Sequence, residues 1–98
     1  MEIINCPDTT ENSFVSFFTN IKDNSFRFTF KWVDDICYLS IFDNLGEPVN
    51  TGNALMVNSM IINDNRVLPN LVFVHSDGLM IPPTQETLKD YVIAYTAE

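Results

Sequence analysis

His75 is the single histidine of this 98-residue chain, and it stands beside Ser76 and Asp77. The three side-chain types of a hydrolytic triad therefore occur in succession. A triad relays a proton between converging side chains, whereas neighbours at one strand end point in different directions. No nucleophile-elbow glycine pattern accompanies them, and the carboxylates elsewhere show no paired acid and base arrangement. His75 is read as a polar strand-end residue, and no catalytic residue is assigned.

Hard oxygen ligands occur at Asn63-Asp64-Asn65 and at Asp34-Asp35. A calcium loop of the EF-hand type also needs alternating acidic ligands, a central glycine and a late glutamate, which are absent, so both groups are read as turns and no metal is assigned. The three glycines, Gly46, Gly52 and Gly78, form no phosphate-cradling loop. Cys6 and Cys37 are the only cysteines, and Cys6 has no second cysteine or histidine at metal spacing. Buried free thiols are expected, and no cofactor is implied.

Aromatic rings are the remaining chemical resource. Phe26, Phe28, Phe30 and Trp32 alternate with Arg27, Thr29 and Lys31, the period of a strand. Such a row stacks bases in single-strand binders, but those platforms lie in a positive groove. Here thirteen acidic residues against five basic ones give a net charge of −8, which opposes binding to nucleic acid and to anionic membranes. A sugar site would need amide or acidic neighbours among the rings, and there are none between 26 and 32. The row is read as core.

Folding the segment back on Asp34-Asp35 sets Val33 opposite Ile36, Trp32 opposite Cys37, Phe30 opposite Leu39 and Phe28 opposite Ile41. Arg27, Thr29, Lys31, Tyr38 and Ser40 then share the opposite face, and a slip of one residue would turn the rings into water. Upstream, Phe14, Val15, Phe17 and Phe18 suggest a first strand ending at Thr19 and Asn20, with turn residues Ile21-Lys22-Asp23-Asn24 leading to the second, a meander of three strands. Downstream, Asp43 to Pro48 is a turn, Gly52 marks a bulge or bend before Ala54 to Val57, and Met60 to Ile62 suggests a short strand. Leu71 to Val74 is another strand, Leu79 to Ile81 a brief extension past the Ser76-Asp77-Gly78 turn, Thr84 to Asp90 one helical turn and Tyr91 to Tyr95 a closing strand.

These elements predict an all-β fold: a small antiparallel sandwich or barrel built as a meander of hairpins, with at most one short helical turn. A polar N-terminal leader is expected over residues 1–12 and a single β domain over 13–98. The N-terminus carries no signal-peptide pattern, and no run reaches the roughly 20 apolar residues of a membrane span. Synthesis in a reducing cytoplasm is expected.

The order of residues resembles the phage baseplate plug family, small β proteins of contractile tails. The matching residues are Phe26, Phe28, Phe30 and Trp32, then Tyr38, Leu39, Ile41 and Asp43, then Gly46, Gly52, Leu55 and Val57. Pro69 with Leu71 to Val74, and Tyr91 to Tyr95, complete the pattern. The position of the family's second-strand tryptophan holds Cys37 or Tyr38. The resemblance implies a non-enzymatic virion protein of the tail baseplate, made in the host cytoplasm. Its expected partners are hub, spike, wedge or tube subunits, with homo-oligomerisation within the virion left open.

Val33, Ile36, Tyr38 and Phe42, apolar or aromatic residues left on the outer face of the hairpin, are the candidate interface. The alternative reading is a stand-alone module binding a carbohydrate or protein ligand through the loops at Gly46 to Gly52 or Ser76 to Pro83.

Overall fold

The computed structural model describes residues 2–63 and 68–96. Among these residues, eight strands form two antiparallel four-stranded sheets. In chain order they are β1 (Glu2–Asn5), β2 (Phe14–Ile21), β3 (Asn24–Val33), β4 (Ile36–Phe42), β5 (Pro48–Ala54), β6 (Met60–Ile61), β7 (Leu71–His75) and β8 (Tyr91–Tyr95). One sheet runs β2-β3-β4-β5, a plain meander, and the other runs β1-β8-β7-β6. The inward faces of both sheets meet in one core that includes Phe26, Phe28, Phe30 and Trp32 from one side and Leu71, Phe73, Tyr91 and Ile93 from the other. The fold is all-β, and two sheets sharing one core make it a sandwich.

The central hairpin carries the register that side-chain alternation demands. Val33 pairs with Ile36, Trp32 with Cys37, Phe30 with Leu39 and Phe28 with Ile41. Asp34, with φ of 55°, opens the turn, a conformation that short polar side chains tolerate. Phe26, Phe28, Phe30 and Trp32 are all buried. Phe17 of β2 adds to this layer, its ring 6.2 Å from Phe28 and 5.7 Å from Phe30. Lys22 and Asp23, both at positive φ, turn the chain between β2 and β3.

Several elements differ from the sequence expectation. The meander has four strands because β5 pairs with β4, though irregularly, with register shifts between Leu39 and Ile41 and between Ile41 and Phe42. Gly52 lies in this bulged strand at φ of 70°. The strand stops at Ala54, so Leu55 to Val57 lie outside it. Leu79 to Ile81 form no strand, and the helical turn shrinks to a 3-10 turn at Leu88–Asp90.

Residues 1–12, expected as a leader, supply β1, which pairs with β8 from Glu2 opposite Tyr95 to Asn5 opposite Val92. The ladder continues where the Cys6 N–H donates to the Tyr91 carbonyl at 3.1 Å. Consequently β8 does not close a sheet edge but lies between β1 and β7.

Candidate interaction surface

The face of the β2-β3-β4-β5 sheet that points away from the core is assembled by register. Across it, Phe14 stands opposite Lys31, and Lys31 opposite Tyr38. The next row is Ser16, Thr29 and Ser40, and the one beyond is Phe18, Arg27 and Phe42. Two rows of aromatic and cationic groups thus flank a row of hydroxyls. In the middle row, Ser16 Oγ and Thr29 Oγ1 are 3.3 Å apart, and the Gly52 N–H donates to Ser40 Oγ at 3.1 Å. In the outer row the Arg27 guanidinium lies 4.8 Å from the centre of the Phe42 ring, a cation–π contact.

The rows enclose an open trough of about 520 Å³. Val33, Tyr38 and Phe42 all line it, whereas Ile36 lies beyond it. Val33 and Ile36 are each 47 % exposed, and Tyr38 and Phe42 are half-buried. The structure therefore brings three of the four sequence candidates together and leaves Ile36 at the hairpin end. There it lines a second hollow of about 380 Å³ with Leu55, Met56, Met80, Pro82 and Pro83. Two residues that sequence reasoning did not place here are Phe14 and Phe18, at 58 % and 67 % exposure. The run from Phe14 to Phe18 holds apolar residues at both parities, so its pattern does not declare a face. Pairing opposite Lys31 and Arg27 decides it.

The chemistry that the sequence invited is absorbed into structure. His75 ends β7 and is buried, its ring edge-on to Tyr91 with centroids 4.8 Å apart. Its Nδ1 accepts the Asp77 N–H at 3.0 Å, and the Ser76 N–H donates to the Asp90 carbonyl, so these three residues hold a turn. Asn63 is occupied as well, its Nδ2 donating to the Pro69 carbonyl and its N–H to Asn70 Oδ1. Asp64 and Asn65 of that expected turn, and Arg66, lie outside the described residues.

Cys6 and Cys37 are buried and free. Burial pushes the Cys37 thiol up to about 12. Cys6 is pushed up as well, by burial first and then by the neighbouring Cys37. Among the described residues no group of three or more metal-ligating side chains occurs, and no helix is long and apolar enough to cross a membrane.

The whole chain, residues 1–98, matches the family model described as Cyanophage baseplate Pam3 plug gp18. No curated protein matches it.

Proposed function

The chain belongs to the cyanophage baseplate plug family, and from that premise we propose that it is a structural subunit packed near the hub and spike, acting by protein–protein contact without turnover. Hub, spike, wedge or tube subunits are its partners, and the virion tail is its destination after synthesis in the host cytoplasm. The contact surface is the trough face, with Val33, Tyr38 and Phe42 along it and Ile36 just beyond it.

One observation carries this reading: a continuous outer sheet face joins exposed aromatic rings to two cations, Arg27 and Lys31, and among the described residues no carboxylate lines the trough. In a chain of net charge −8, that segregation gives the face a sign opposite to the rest of the molecule. Aromatic and arginine side chains are the types enriched at protein contacts, and local charge complementarity fixes orientation.

Phe42→Asp tests it. Phe42 lies outside the core, so the isolated variant should keep the wild-type melting transition while its incorporation into tails falls at least tenfold. Unchanged incorporation would refute the assignment of this face. Tyr38→Asp, on the other aromatic row, should behave alike and controls for a defect local to Phe42.

A further inference from the structure

Two sheets have four edges, and three of them are blunted. β1 is only four residues long and carries Glu2, β6 has two residues, and β5 begins at Pro48 and is bulged. The β5 edge also receives side-chain contacts, since Asn50 Nδ2 donates to the Ile62 carbonyl and to Asn63 Oδ1. These are the usual devices against edge-to-edge association. β2 has none of them. It is eight residues long, Phe-Val-Ser-Phe-Phe-Thr-Asn-Ile, with no charge, proline or glycine. Among the described residues its backbone hydrogen bonds run to β3 alone.

We infer that β2 pairs antiparallel with β2 of a second copy, about a two-fold axis at Ser16, to form a continuous eight-stranded sheet. The reading is independent of the role proposed above. Directly opposed residues in an antiparallel pair must share a face, and Phe14, Ser16 and Phe18 share the outer one. With the axis at Ser16, Phe14 meets Phe18 of the second copy and Phe18 meets its Phe14, while Val15 and Phe17 are matched on the inner side. The two most exposed phenylalanines of the described residues then cover each other. Each outer row continues into the other copy, Tyr38-Lys31-Phe14 running on into that copy's Phe18-Arg27-Phe42.

Charge selects this occupant. Most of the surface of a −8 chain repels a second copy, but β2 has no ionisable side chain to do so.

Sedimentation of the purified full chain across a broad concentration series tests the pairing. The wild type should show a reversible shift from the mass of one chain toward twice that mass. Phe14→Glu and Phe18→Lys, both at exposed positions, should each stay monomeric with unchanged melting transitions. Their equimolar mixture should recover the dimer, because the introduced carboxylate and ammonium then face each other across the paired strands while a Phe14–Phe18 contact is kept. A wild type that stays monomeric throughout overturns the inference and leaves the incorporation result for Phe42→Asp untouched. A dimer indifferent to both substitutions, or a mixture that stays monomeric, overturns it as well.

Discussion

Thr9 shows how one small polar side chain ties three segments together. It is fully buried, accepts the Trp32 indole N–H at 3.0 Å and donates to the Gln85 carbonyl at 2.7 Å. The indole could enter the core edge only with its N–H satisfied, since an unpaired buried donor costs as much as a lost hydrogen bond. Thr9→Val keeps the shape and removes both bonds, so it should cost about 1–3 kcal/mol in urea unfolding. Thr9→Ser keeps the hydroxyl and should lose less. A Val variant within a few tenths of wild type would show that water replaces the threonine.

Sequence reading sets Thr9 in a polar leader, because the letters around it are those of a turn. Nothing local announces that Trp32, twenty-three residues away, needs its hydroxyl. The same blindness hides the fate of His75, whose acceptor nitrogen and ring are taken up by Asp77 and Tyr91.

At the scale of elements, the β3-β4 hairpin was legible down to its register, because the strict alternation from Phe26 to Trp32 leaves one pairing that buries the rings. β1 was not legible. Four residues contain too little pattern, and its support comes from β8, which lies at the other end of the chain. The outward phenylalanines of β2 were hidden for a related reason: which face they occupy is set by their partners on β3.

Docking of β1 can be followed through Cys6, which directly extends it. The thiolate is the reactive form, and burial holds both thiols far above their ordinary value of 9.0. At pH 8 neither cysteine should react with a thiol reagent faster than the whole domain unfolds. Faster labelling of Cys6 than of Cys37 would mean that β1 detaches by itself. The same shift has a sign for stability. The unfolded chain ionises its thiols near 9.0 while the folded Cys37 holds its proton to about 12. These groups therefore leave stability intact below pH 9 and lower it as the pH rises through that window.

At the scale of the molecule, the sandwich spends its large rings on the interior and divides its surface unevenly. Among the described residues its acidic side chains stand on loops and at strand ends, while Arg27 and Lys31 stand among aromatics along the trough. Fold class and family were legible because they rest on strand pattern along most of the chain. The extent of the trough was not, since its rows are a product of strands in register, and the hairpin reading held only the β3-β4 residues of it. Pro82 and Pro83, at the hollow beside Ile36, are where a ligand-binding module using the Ser76 to Pro83 loop would make contact instead.

Hydroxyl-radical footprinting of the free protein against the same protein in assembled tails separates the two directly. Aromatic side chains report by their oxidation. Tyr38 and Phe42 should lose most of their reactivity on assembly, with Met80 beside the second hollow changing little. Protection of Met80 with Tyr38 and Phe42 left as reactive as in the free chain would contradict the trough face as the contact surface.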